Sequence, residues 1–140
     1  YRLYLRAIAL RKQGIKFQKN KKYNSAVRAL RESIQLIFKI YRFFPESPFY
    51  LKLNRDLAQS ERFLGDVLFQ KKDYNRAWQA YQRGLAREFP DNDEHYIEVN
   101  LALAKTYQTV GDLQKAVNIY THLLSWKGGD DQIQKALRKF

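Results

Sequence analysis

The chain of 140 residues contains no cysteine. That absence removes disulfide frameworks, thiolate metal sites and cysteine nucleophiles, and it leaves the redox compartment open. Methionine is absent too, and there are only three prolines, two of which, Pro45 and Pro48, make the clearest break in the sequence. No uncharged apolar run approaches the roughly 20 residues that a membrane-crossing helix needs. Nothing in the sequence is therefore expected to span a bilayer, and no signal segment is legible. The chain opens at Tyr1 without an initiator methionine, as a processed product or an excised domain would. Acid is the scarcest commodity at this end: Glu32 is the only Asp or Glu between Tyr1 and Pro45.

What is present suits one folded domain. Apolar residues make up 45% and charged residues 29%, ordinary values for a globular chain and wrong for a disordered tail or a collagen-like fibre. A chain this long can bury about two-thirds of its unfolded surface. The aromatics are numerous, with 10 Tyr, 9 Phe and 2 Trp, and 26 Lys and Arg against 14 Asp and Glu give a net charge of +12. The excess is lopsided. Residues 1–60 hold 14 basic and 3 acidic side chains, whereas residues 61–140 hold 12 and 11.

The sequence repeats itself. Gly14 is followed twelve residues later by Ala26, Gly65 by Ala77, and Ala104 by Ala116. Three residues before each of these alanines stands a large side chain (Tyr23, Tyr74, Leu113), and four residues after it another (Leu30, Tyr81, Tyr120). Three residues after each leading small residue comes Phe17, Leu68 or Tyr107. Two antiparallel helices need this arrangement if their axes approach closely at one crossing and are wedged by bulky side chains beside it. The fold class expected is all-α, a stack of helical hairpins with the aromatics as its core.

These residues resemble the tetratricopeptide repeat, a unit of 34 residues with a small residue inside its first helix, an alanine in its second and often a terminal proline. The stretch from Leu64-Gly65 through Tyr74, Ala77 and Tyr81 to Pro90 matches best. The other two units are degenerate: Leu10, Glu61 and Asn100 stand where the family usually has tryptophan, and Gln13 where it usually has leucine. The leading small residues are 51 and 39 positions apart instead of 34, so the first helix pair is expected to be longer than usual. The resemblance implies a right-handed solenoid over 1–140, with repeats at about 7–44, 48–90 and 92–127 and a capping helix at about 131–140.

Helix ends follow from local signals. The first helix is expected to run to about Lys19 with Asn20 as a left-handed terminator, and the second from about Lys22 to Phe43. Ser47 is placed to cap the third with Pro48 at its first position, and this helix should reach Gln70. The fourth follows Lys71-Lys72-Asp73 and runs to about Glu88 before Pro90. Asp91 with Glu94 resembles a capping box for the fifth, and Gly111-Asp112 turns into the sixth, which ends before Gly128-Gly129. Asp130 or Asp131 opens a short seventh, with Ile133, Ala136, Leu137 and Phe140 on one face. Phe38, Phe43, Phe49 and Tyr50 cluster around the proline break and are expected to fasten the long helix pair.

Catalytic chemistry finds no foothold. His95 and His122 lie in different helices without metal-ligand spacing, and the Asp93-Glu94-His95 cluster falls where acid favours a helix start. No phosphate-binding glycine loop or nucleophile elbow occurs. A non-enzyme without cofactor, metal or small-molecule substrate is expected. Charge carries more information. Arg28, Arg31, Lys39 and Arg42, with Gln35 between them, fall on one narrow arc of the second helix, opposite Ala26, Leu30, Ile37, Tyr41 and Phe44. The plain reading of this stripe is a solvated face. The functional one is a contact for an acidic protein, or for the phosphates of RNA or an anionic membrane.

The resemblance also implies a non-catalytic adaptor or scaffold that holds a protein or peptide segment in a concave groove. The groove positions it implies are Arg11, Ile15 and Gln18 in the first unit, Arg62, Asp66 and Phe69 in the second, and Leu101, Lys105 and Gln108 in the third. Members that clamp a C-terminal carboxylate have asparagine where this chain has Ile15 and Asp66, so that ligand is not expected.

Overall fold

A computed structural model describes residues 2–44, 49–87 and 93–139, and among them every regular element is a helix. The chain forms two compact units, Tyr1–Glu88 and Phe89–Phe140. The first contains α1 (Arg2–Lys19), α2 (Tyr23–Phe43), α3 (Tyr50–Gln70) and α4 (Tyr74–Leu85). The second contains α5 (Asp93–Val110), α6 (Leu113–Lys127) and α7 (Asp131–Arg138). The fold is that of a helical repeat: α1 packs on α2, α3 on α4 and α5 on α6, each pair antiparallel across a tight turn.

The three turns are built alike. The Lys22 N–H donates to the Phe17 carbonyl at 2.9 Å, Asp73 to Leu68 at 2.8 Å and Asp112 to Tyr107 at 2.8 Å. Within each, the preceding residue adopts left-handed backbone: Lys21 at φ 61°, Lys72 at φ 69° and Gly111 at φ 90°. This six-to-one bond with a left-handed residue is the Schellman ending, which satisfies carbonyls that a helix end otherwise leaves open. Each left-handed residue lies seven positions after the leading Gly14, Gly65 or Ala104, so the backbone repeats with the sequence. Lys21, not Asn20, is therefore the terminator of α1. The next helix is capped in two of the three turns by a carboxylate, Asp73 accepting from the Arg76 N–H and Asp112 from the Lys115 N–H.

The small residues sit at the crossings they were expected to occupy. A Cβ on Gly14 would fall 2.7 Å from Cγ of Leu30, and one on Gly65 would fall 2.6 Å from Cε1 of Tyr81. Both partners are the bulky residue four positions after the repeat alanine, and Ala26, Ala77, Ala104 and Ala116 are all fully buried. Side-chain bonds reinforce the packing. Ser33 Oγ on α2 donates to the Ala7 carbonyl on α1 at 2.7 Å. Buried Glu61, in the slot where the family usually has tryptophan, accepts from Arg83 Nε on α4 at 3.0 Å. In the second unit Ile97, Leu123 and Ile133 form the core, with Leu137 packed against it, so α7 covers the α5–α6 hairpin. Its start is capped by Asp130, which accepts from the N–H groups of Gln132 and Ile133.

Several expectations need correction. Leu113 is exposed, because Tyr74 packs edge-on against Phe69 at 5.1 Å whereas the third unit has Gln108 at the position of Phe69. Phe44 is 62% exposed and not part of the buried arc of α2: it is the C-cap, at φ −132°, where helical periodicity no longer applies. Of the aromatics at the proline break, Tyr50 meets Tyr41 at 5.3 Å and ties α3 to α2, and the Arg87 guanidinium lies 4.8 Å over the Phe38 ring. Phe43 and Phe49 are largely exposed. Helix α4 ends at Leu85, directly after Gly84, a weak helix former. The expected caps Ser47, Pro48 and Asp91, the stop at Pro90, and Phe140 of the last helix face lie outside the described residues.

Candidate functional site

In the first unit, the groove positions implied by the resemblance lie on α1 and α3, and most of them bond within the protein. Arg11 Nη1 reaches Asp56 Oδ1 at 3.2 Å and Gln59 Oε1 at 3.3 Å, while Gln18 Nε2 donates to Gln70 Oε1 at 2.9 Å. These bonds stitch α1 to α3, with Ile15 half-buried between them in sequence. Asp66 accepts from the phenol of Tyr81 and lies 4.0 Å from Arg62. Burial, reinforced by the negative charge of Asp66, pushes the Tyr81 phenol far above the ordinary tyrosine range, so it donates at every physiological pH. Phe69 is engaged with Tyr74. This face therefore holds the hairpins together as much as it offers a surface.

The second unit is different. Leu101, Lys105 and Gln108 of α5 line one cleft of about 700 Å³, with Tyr120 of α6 and Gln132 and Lys135 of α7. Ala102, Thr109, Ala136 and Lys139 complete that lining, so three lysines and no carboxylate border the cleft. Gln108 accepts from the Tyr120 phenol at 3.4 Å, and burial raises that phenol's pKa, which keeps it a donor. An apolar strip of Leu101, Ala102 and Ala136 edged by amide and ammonium donors suits an extended segment carrying carboxylates. The contribution of α7 escaped the sequence, where this helix reads only as a cap. The signal was present: Gln132, Lys135 and Lys139 follow one another at helical spacing, offset from the buried face marked by Ile133.

Arg28, Arg31, Gln35, Lys39 and Arg42 are all exposed, and among the described residues none of the four cations forms an ion pair. A further basic depression, not foreseen, is lined by Lys21 and Lys22 of the first turn and Lys71 of the second. Among the described residues no group of three or more acidic or histidine side chains gathers as metal ligands do. No described helix is long and apolar enough to cross a membrane.

Comparisons with known proteins find a recognised repeat in the second unit. Residues 97–130 match the family model of the tetratricopeptide repeat, a span that runs from within α5 through α6 to Asp130. The chain is also similar to the RxLR effector protein SFI4 of Phytophthora infestans (strain T30-4), at 25% identity over 113 residues. That alignment takes in 79% of this chain and 31% of the relative, so the chain spans about a third of that protein's length. With its paired antiparallel helices, its close crossings at Ala104 and Ala116 and the family match over α5 and α6, this all-helical chain carries a tetratricopeptide repeat.

Proposed function

We propose that the protein is a non-catalytic adaptor or scaffold of three degenerate tetratricopeptide repeats, at about 7–44, 48–90 and 92–127, that binds an extended acidic segment of a partner protein. Proteins with this repeat characteristically act through protein–protein contact and are typically non-catalytic, and no cofactor is needed for such a role. The observation that carries the reading is the α5–α7 cleft, where Lys105, Lys135 and Lys139 border an apolar strip with no carboxylate among the lining residues. The basic stripe of α2 supplies a second contact for acid on the partner.

The test is a binding titration with a fluorescent peptide rich in glutamate and leucine. Lys105→Glu with Lys135→Glu should weaken binding about tenfold or more while circular dichroism keeps the parent's helical signal. Unchanged affinity in that variant defeats the groove reading. The exposed cations of the stripe also support a second reading, nonspecific binding of RNA or of an anionic membrane. Affinity for a homopolymeric RNA that falls steeply with salt and is lost on reversing Arg28 and Arg31 would favour it, because each neutralised phosphate releases counterions.

A further inference from the structure

The two hairpin turns of the first unit lie side by side, tied by the bond from Gln18 Nε2 to Gln70 Oε1 at 2.9 Å. Residues 16–25 and 70–72, which build these turns, carry six lysines, Lys16, Lys19, Lys21, Lys22, Lys71 and Lys72, and no Asp, Glu or Arg. All six are exposed, and among the described residues none forms an ion pair. Asp73, the acid next to them in sequence, is engaged: it caps α4 and lies 3.7 Å from Arg76. Three of the six, Lys21, Lys22 and Lys71, line the depression of about 310 Å³ together with Tyr23, Asn24 and Ser25. No carboxylate and no aliphatic side chain borders it. The second and third turns bring an anion of their own to the equivalent place, Asp73 and Asp112, each capping the helix that follows. In the first turn Lys22 stands there and makes no such cap.

We infer that this depression binds a compact ligand carrying two phosphate groups, independently of the reading given to the α5–α7 cleft. Charge is the first feature that selects it. A phosphate monoester carries about −1.5 to −2 at neutral pH, so two of them together match the three lysines of the lining. The kind of cation is the second. Lysine is a compact point charge with three rotatable donors, suited to oxygens that arrive from several directions, as those of clustered phosphates do; the planar fork that arginine offers a single carboxylate is missing. Asn24 and Ser25 add an amide and a hydroxyl donor. Shape is the third, because a volume at the small end of ligand pockets, roughly 300 to 1,000 Å³, takes a small molecule or a headgroup and not a chain. A peptide finds no aliphatic anchor here, and a nucleic-acid strand finds no open ring on which to stack a base, since Tyr23 is half-buried. A soluble bisphosphate and the headgroup of a bisphosphorylated lipid present the same chemistry, and the experiment separates them.

Calorimetric titration of the whole chain with inorganic pyrophosphate and with inositol bisphosphate, at physiological salt, tests this. Both probes should bind saturably, about tenfold or more tighter than citrate, whose carboxylates bring a similar charge. Lys22→Gln combined with Lys71→Gln should weaken them about tenfold or more while circular dichroism keeps the parent's helical signal. Lys12→Gln combined with Lys115→Gln, exposed positions that lose the same charge elsewhere, should not. Lys105→Glu, which acts on the α5–α7 cleft, should leave both probes bound. Vesicles containing phosphatidylinositol bisphosphate assign the source: binding tighter than to the soluble headgroup makes the ligand lipid-borne, binding no tighter makes it a soluble metabolite, and in either case the Lys22 and Lys71 pair must weaken it. No saturable binding, citrate bound as tightly as pyrophosphate, unchanged affinity in the Lys22 and Lys71 variant, or equal weakening by the Lys12 and Lys115 pair would overturn the proposal. So would a single-stranded RNA that is lost in the Lys22 and Lys71 variant yet is not displaced by pyrophosphate, since the face would then belong to nucleic acid.

Discussion

Gly65→Ala adds one carbon at the crossing of α3 and α4. The new Cβ would lie 2.6, 2.8 and 2.9 Å from three ring carbons of Tyr81, where carbon atoms in contact need about 3.5 to 4.0 Å. The ring has little freedom to yield, because it is 2% exposed and its phenol is held by Asp66. Overpacking of this kind costs about 1 to 3 kcal/mol, and alanine returns about 1 kcal/mol of helix propensity. With a tethered ring the upper part of the packing range applies, so a net loss of about 1 to 2 kcal/mol is expected, several degrees of melting temperature for a chain of this size. Gly14→Ala should lose less, since its Cβ meets an untethered leucine, Leu30, at 2.7 Å. The third unit shows the alternative: Ala104 coexists with Tyr120 because that phenol reaches Gln108 instead. Removing the tether by Tyr81→Phe should therefore make Gly65→Ala milder than it is in the parent background, a coupling that a double-mutant cycle in urea measures. Gly65→Ala as stable as the parent, or more so, would mean that propensity dominates and that Tyr81 is no wedge.

Ala77→Leu, at a fully buried crossing, should lower the unfolding free energy measured in urea by about 1 to 3 kcal/mol, while Lys115→Ala, at an exposed site, should change it by no more than a few tenths; equal losses would contradict the repeat alignment. The raised phenols of Tyr81 and Tyr120 give stability that is fully present below the ordinary tyrosine pKa of about 10 and is lost as pH rises above it, because the unfolded chain ionises first. Urea titrations above pH about 10 should therefore show falling stability, up to about 1.4 kcal/mol per pH unit per group, with a shallower fall in Tyr81→Phe. Glutamate at Arg28, Arg31, Lys39 and Arg42 together should leave melting nearly unchanged, to within a few tenths of a kcal/mol per position, and should abolish capture of an acidic protein surface. Retained capture with the same salt dependence would reduce the stripe to a solvated face.

The helical hairpins were legible because close crossings need small residues opposite bulky ones at fixed intervals, and that demand shows in one dimension as Gly14–Ala26, Gly65–Ala77 and Ala104–Ala116. The turns were partly legible. Gly111 declares a left-handed terminator, but Lys21 and Lys72 fill the same role with side chains that favour it weakly, so the position is set by the packing of the two helices and not by local preference. Leu113 misled because its expected partner is a ring at the position of Gln108, a tertiary fact. The groove is the hardest case. Arg11, Gln18 and Asp66 match positions of a binding face, yet their partners Asp56, Gln70 and Tyr81 are decided by how α1, α3 and α4 meet. Lys135 and Lys139 join Lys105 only once α7 has folded onto α5 and α6.

The proposal that an acidic segment lies in the α5–α7 cleft is tested most directly by following backbone amide resonances of the isotope-labelled protein during titration with a glutamate-rich peptide. The shifts should gather on Leu101, Lys105, Gln108, Gln132 and Lys135, saturate, weaken with added salt, and vanish in the protein carrying Lys105→Glu and Lys135→Glu. Shifts confined to α2, or a saturating response unchanged in that variant, would contradict the account and move the partner to another face.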